Sequence, residues 1–362
     1  MSAVPAPRVL LVTKGLDIGG IERIVVELAL AMTQRGVPVE VAVVNDSRNQ
    51  LIPLLTEAGI VVHRLGGSDR IGVSAARRLA ALVKDRRFDV VHVHGPLPGA
   101  LARSVPGHRP VVTTSHTPLG AVRLPTRLVW RLTASRDAAT VAVSAVVSSS
   151  LPQRVAARTV VIPHGVDPVA IARTLADMQP RGETDIVTAV TVASHRDVKN
   201  YPNLLRAMKV ALGLGAKLRL VAVGTGAELE RHRELAARLG LADVVTFEAP
   251  VRDVLGVIAA ADLLVVASDY EGQPLVVLEA LALGLPVVAT AVGRVPELVS
   301  PAVGRVVPPG DPQALGAALA EVAGDPELRA QMGEAAHHEG HTWTLDNVID
   351  AHLALYSEVT GR

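Results

Sequence analysis

Residues 268–290, SDYEGQPLVVLEALALGLPVVAT, decide the fold. They read as the end of a buried strand, a polar loop, a short helix and a second buried strand. Two carboxylates, Glu271 and Glu279, stand eight residues apart in surroundings that are otherwise apolar. Charged side chains persist in such a place when something pairs with them, and a ligand is the partner expected here. The alternative is a buried glutamate satisfied by backbone groups.

Working outward, strand and helix alternate along the chain. Strands are expected at Arg8–Thr13, Val39–Val44, Val61–Leu65, Asp89–His94, Val111–Ser115, Thr140–Ser144 and Val160–Pro163, with helices at Ile21–Arg35 and Ser74–Arg87. A second series places strands at Ile186–Ala193, Leu218–Val223, Val244–Phe247, Leu263–Ala267 and Val287–Ala289. Helices between them fit Tyr201–Leu212, Ala227–Leu239, Asp253–Ala260, Pro274–Leu283 and Pro312–Val322. The strands are continuous apolar runs, the mark of parallel sheets covered on both faces. The pattern weakens over Asp167–Glu183, with Pro180 and Gly182, which reads as a linker. The expected class is α/β: two doubly wound Rossmann-like domains, residues 1–166 and 167–344, with a final helix in 345–362. A ligand would lie in a cleft where the carboxyl ends of the two sheets face each other.

A chain of 362 residues is long for one core and suits two domains. The net charge of +1 hides an asymmetry: residues 1–165 hold 20 Lys+Arg against 10 Asp+Glu, about +10, and the remainder is about −9. A basic half suits an anionic membrane surface or a phosphate-bearing substrate. Nucleic acid is not expected, because seven aromatic residues offer few stacking platforms. Without cysteine there is no disulfide, thiolate zinc site or cysteine nucleophile. No spanning helix is evident, and MSAVPAPRVLLVT enters a strand without a signal peptide's charged region and cleavage site. A cytoplasmic protein is expected.

Pro274 suits the first position of a helix, so free amides near Gln273–Val276 offer an anion site. Glu279 lies roughly 7–8 Å further along the axis. A sugar nucleotide fits that spacing, with sugar hydroxyls at one carboxylate, phosphates at the helix start and ribose hydroxyls at the other. His92 and His94 alternate on one strand, but no third ligand cluster accompanies them, so they read as structural or cleft-edge residues rather than a metal site. A dinucleotide fingerprint is missing, since GLDIGG and GTGAEL both break the glycine spacing, and no GK[ST] phosphate loop occurs. Two basic helical stretches, SAARRLAALVKDRR and VRLPTRLVWRLTASR, repeat arginines beside apolar residues, as at Arg123, Arg127 and Arg131. Such faces can lie on an anionic membrane or snorkel over the core.

The Glu-x7-Glu spacing resembles the retaining, nucleotide-sugar-dependent group 1 glycosyltransferases of the GT4 type, which have the GT-B fold. The ordered set of further motifs strengthens the resemblance along nearly the whole chain: GGIERIVVELALAMTQRGVPVEV, VVHVHGPLPGALA, VVTTSHTP, VVIPHGVD and VAVGTGAELE. It implies acceptor binding by the first domain, donor binding by the second, and a terminal helix packed back on the first. Gly19 and Gly20 would admit the donor's phosphate and sugar. Arg196 and Lys199 would hold the pyrophosphate, and His116 would face the sugar. Glu271, Gly272, Gln273, Pro274, Leu275 and Glu279 complete the implied donor set, with no metal or other cofactor. The implied acceptor is a glycan, lipid-linked or small-molecule hydroxyl, as in polysaccharide biosynthesis. The chain departs from the pattern at His164, where asparagine is usual, and at Arg294, where a second glycine often stands. Alternatives are a GT-B-like epimerase or phosphorylase, and a non-catalytic sugar-nucleotide-binding module.

Overall fold

A computed structural model describes residues 6–45, 47, 49–67, 72–85, 88–105, 109–178 and 184–362. The chain divides into two compact units, residues 1–164 with 345–362, and residues 165–344. Among the described residues no helix is long and apolar enough to cross a membrane.

The first unit is a seven-stranded parallel sheet, ordered β3-β2-β1-β4-β5-β6-β7. Its strands are β1 Val9–Thr13, β2 Val39–Asn45, β3 Val62–Gly67, β4 Val90–His94, β5 Val111–Ser115, β6 Ala139–Ala142 and β7 Thr159–Val161. β1 and β4 are buried at every position, as continuous apolar runs require when helices cover both faces. The order reverses between β1 and β4, so the loops after these strands flank the switch point of the sheet.

The final helix, Leu345–Thr360, belongs to this unit. Its Tyr356 is fully buried, with its hydroxyl 2.5 Å from His92 Nδ1; His92 Nε2 meets Thr114 Oγ1 at 2.7 Å. Arg35 pairs with Asp346 and Asp350, and Arg362 reaches Asp89 at 2.5 Å. His92 is therefore a satisfied core histidine that ties β4 to the chain terminus.

The second unit is a six-stranded parallel sheet, ordered β10-β9-β8-β11-β12-β13. The strands are β8 Val187–Val192, β9 Leu218–Val223, β10 Val245–Glu248, β11 Leu263–Val266, β12 Val287–Thr290 and β13 Gly304–Val307. Here the reversal falls between β8 and β11. Three of its helices begin with Asp-Pro. The side chains of Asp167, Asp311 and Asp325 accept amides of the first turn, and Pro168, Pro312 and Pro326 fill positions whose amides need no helical partner.

The first of these caps corrects the expected linker. Pro168–Asp177 is a helix that buries Ile171 and packs on the helix Val254–Ala259, while residues 179–183 lie outside the described residues. The helix Pro326–Gly340 and strand β13 were not anticipated from the sequence at all.

Tyr356→Phe leaves the buried His92 Nδ1 without its partner and is expected to cost about 1–3 kcal/mol. Urea unfolding should show a lower midpoint at constant slope. An unchanged midpoint would remove the His92–Tyr356 bond from the account of this unit.

Candidate functional site

The loops after β8 and β11 meet at the switch point of the second sheet, and the charged candidates sit on them. Lys199 ends a short 3-10 turn, Asp197–Lys199, after β8. Its Nζ donates to Glu271 Oε1 at 2.6 Å, with both side chains mostly buried. Ser268 Oγ donates to the same oxygen at 2.7 Å. The backbone joins the two loops again, because the Asp269 amide donates to the Val198 carbonyl at 2.9 Å. Asn200, in the left-handed region at φ 43°, donates to Asp269 Oδ1 at 2.6 Å and caps the helix Tyr201–Gly213. Thr290, at the end of β12, donates to the Ser268 carbonyl at 2.6 Å. Thus the expected Lys199 and Glu271 are direct partners rather than separate groups. Ser268, Asn200 and Asp269 complete a frame that motif spacing did not reveal.

Arg196 is exposed and bonds Ser194 Oγ at 3.0 Å, outside that frame. The helix after the loop spans Leu275–Ala282, with Pro274 as its N-cap at φ −73° and ψ 118°. Pro274 therefore precedes the helix instead of opening it, and the first-turn amides start at Leu275. Glu279 is 3% exposed and Gln273 6%, both within the apolar body of the unit, and Leu275 is buried at the helix start. Tyr270 has a buried hydroxyl, and burial together with the Glu271 charge pushes it up to about 12.

Glycines let these loops approach. A Cβ on Gly226 would lie 2.2 Å from the His195 carbonyl oxygen, and one on Gly293, at φ +54°, 2.3 Å from that of Glu271. Next to Gly293, the Arg294 amide donates to the Gly272 carbonyl at 3.1 Å. The Arg294 guanidinium stacks 4.6 Å over Trp343 and pairs with Glu297 at 2.7 Å. The arginine that replaces the usual glycine is thus folded into the unit. His195, adjacent to Arg196, is buried, stacks on Tyr201 with ring centroids 4.0 Å apart and contacts His232 at 2.9 Å. Burial, then His232, lowers it to about 4.

In the first unit, Gly19 is the extended N-cap of the helix Gly20–Gln34, in the loop after β1. A Cβ on Gly20 would meet nothing within 4 Å, and one on Gly19 only the movable Glu22 side chain. The fold itself therefore makes no demand for glycine at 20. His116 follows β5, is 7% exposed, and its Nε2 lies 3.1 Å from His94 Nδ1. Its ring stacks on that of His164 at 5.4 Å. His352, His92, His94, His116 and His164 form a row of neighbouring rings. Burial, more than mutual repulsion, holds His92 and His94 well below the ordinary range, His116 at about 3 and His352 at about 4. No three His, Asp or Glu residues among those described are placed to hold a metal ion.

Comparison with known proteins agrees with this architecture. The family described as Glycosyl transferases group 1 matches residues 177–339, and that described as Glycosyltransferase Family 4 matches residues 18–169. A D-inositol 3-phosphate glycosyltransferase of Geodermatophilus obscurus is 31% identical over 95% of this chain and 87% of its own. One from Saccharomonospora viridis is 36% identical over 185 residues, half of this chain, a match that spans 41% of that relative. Several relatives are matched over only about two fifths of their length in this way. Among solved structures, HepE of Anabaena in complex with UDP-glucose has a TM-score of 0.83 at 19% identity, covering 97% of this chain and all of that one. The two-unit fold is that of the GT-B glycosyltransferases.

Two outcomes test this geometry. Gly226→Ala should lower the melting temperature, since the Cβ would strike backbone, whereas Gly20→Ala should leave it unchanged; equal melting temperatures for the two would contradict the contacts. Acid should destabilise the histidine row. Each folded value lies below the unfolded 6.5, so the unfolded chain gains protons first as pH falls. Stability is then full above about pH 6.5 and falls toward pH 4 by on the order of 1 kcal/mol per pH unit per histidine. Urea midpoints that stay level from pH 7 to 5 would refute this.

Proposed function

The chain belongs to the group 1 glycosyltransferases, and on that premise we propose that it transfers a sugar from a UDP- or GDP-linked donor to an acceptor hydroxyl with retention of configuration. The observation that carries the reading is the Lys199–Glu271 pair at the switch point of the second sheet, beside the start of the Leu275–Ala282 helix. Open α/β sheets bind ligands at such a point, and a helix start favours phosphate.

The residues take roles that follow from their chemistry. Lys199 carries three N–H donors, so it can keep Glu271 and still meet a phosphate oxygen. Lys199 and Ser268 both bond Glu271 at Oε1, which leaves Oε2 to accept from sugar hydroxyls. Lys199, Arg196 and the first-turn amides that start at Leu275 would stabilise the departing diphosphate. Glu279 is assigned the ribose. In the first unit, Gly19, Gly20 and His116 are assigned to bound substrate. Glycine at 20 serves no packing need of the fold, which supports close approach of a ligand. The acceptor oxygen would bond to the anomeric carbon as the carbon–phosphate oxygen bond breaks, on the same face, with the acceptor proton passing to the diphosphate. The same reading has the cationic side chains supply the charge without a metal ion.

The acceptor belongs to the first unit in this proposal. That unit holds 21 Lys+Arg against 13 Asp+Glu, about +8, which suits a phosphate-bearing acceptor. The relatives named for D-inositol 3-phosphate point the same way.

Nucleotide release from UDP-, GDP- and ADP-sugars, with inositol phosphates and lipid-linked glycans offered as acceptors, tests the function. Turnover should survive EDTA. Lys199→Ala should lower kcat by about 10²–10³-fold and abolish the thermal shift produced by free UDP or GDP. A full shift in Lys199→Ala would show that the phosphate assignment is wrong, and release from no donor would leave only a binding module.

A further inference from the structure

The two basic stretches of the first unit form helices of opposite character. In Val73–Asp85 the apolar positions Ala75, Leu79 and Val83 are buried, and Arg77, Arg78 and Lys84 face solvent. That is an ordinary surface helix; Arg86 and Arg87 lie outside the described residues. The helix Leu124–Thr133 is reversed. Leu124, Leu128, Val129 and Leu132 are 57%, 51%, 46% and 78% exposed, while Trp130 is the single buried side chain.

The inward side is fully engaged. Trp130 packs with Leu119, Ala134, Leu151 and Val155. It also lies 5.8 Å from the guanidinium of Arg103, which is buried and paired bidentately with Asp137. Arg103 Nη1 further donates to Thr133 Oγ1, on the helix itself, at 3.2 Å. At about 100° per residue, Leu124, Leu128 and Leu132 fall on one side and Trp130 on the opposite side. Arg127 and Arg131 then line one flank of the leucine row, with Arg123 at its start. Between Pro118 and Arg136 there is no acidic residue and there are four arginines.

We propose that the Leu124–Thr133 helix docks the first unit on an anionic lipid surface, lying in the interface with its leucines among the acyl chains and its arginines on the headgroups. An apolar row with a cationic flank matches a bilayer whose surface is negative, and each element is supplied at helical spacing. A second copy of the chain fits less well, because a twofold contact through this face would bring the arginines of the two copies together. The proposal does not rest on the transferase reading, since vesicle binding needs neither donor nor turnover.

Co-sedimentation of the full chain with phosphatidylglycerol and phosphatidylcholine vesicles tests it. Binding is expected to phosphatidylglycerol at low salt, to be weak or absent on phosphatidylcholine, and to fall as salt rises. L128E/L132E should abolish it while leaving the melting temperature unchanged, since both side chains are exposed. R127Q/R131Q should weaken it by roughly fivefold per arginine removed. Three results would overturn the proposal: no wild-type binding to phosphatidylglycerol at low salt, equal binding by L128E/L132E, or a dimer in sedimentation velocity that L128E/L132E dissociates.

Discussion

The contact between Lys199 Nζ and Glu271 Oε1 joins two loops that leave neighbouring parallel strands at the same end of the second sheet and lead to opposite sides of it. A mostly buried pair of this kind is weak evidence for stability, because desolvation offsets much of the attraction. Its consequence is positional. The charges fix the 3-10 turn after β8 against the loop after β11, and the Asp269 amide and Asn200 side chain repeat the tie. Backbone must then come close from three sides, which is why Gly226 and Gly293 stand where a Cβ would strike a carbonyl oxygen. Asn200 takes a left-handed conformation at the same point, a geometry its short amide tolerates better than most side chains. Charge, glycine placement and backbone strain all converge on one turn of chain at the reversal of the sheet.

The first unit depends on a different constraint, the return of the chain terminus. β4 carries His92 into a fully buried position where both ring nitrogens need partners, and one partner, Tyr356, lies 264 residues away. Arg35 and Arg362 add ion pairs between the terminal helix and the body of the unit. These pairs are exposed and contribute little individually. The buried hydroxyl is the costly one to lose, so the unit acquires its full hydrogen-bonding only when the last helix docks. Contacts of such sequence separation close long loops and are slow to form.

Much of this was legible in the sequence, for identifiable reasons. Continuous apolar runs mark twelve of the thirteen described strands, because burial on both faces leaves no alternation to confuse. The missed strand β13, Gly304–Val307, opens on glycine and includes Arg305, so its run is too short and polar to register. Weak periodicity over Asp167–Glu183 reads as a linker, but the Asp-Pro cap at 167–168 starts a helix there, as it does at 311–312. For the site, Lys199 and Glu271 were found as separate motif residues. Their contact was not, since 72 residues separate them and only the strand order brings β8 beside β11. Ser268 carries no motif signal, and its importance arises from where the fold puts it.

Arginine spacing alone did not separate the helices Val73–Asp85 and Leu124–Thr133, although the structure turns their apolar faces in opposite directions. The difference traces to one aromatic side chain. A large indole gains more from burial than a leucine, and at 130 it also covers the Arg103 guanidinium, which the Asp137 carboxylate holds in place. With Trp130 turned inward, helical geometry leaves the leucines four and eight residues from Leu124 no inward position to take. In the other helix no aromatic competes, so Leu79 and Val83 take the core and the arginines take the water. A buried ion pair beneath one helix thus decides which of two similar sequences presents an apolar surface.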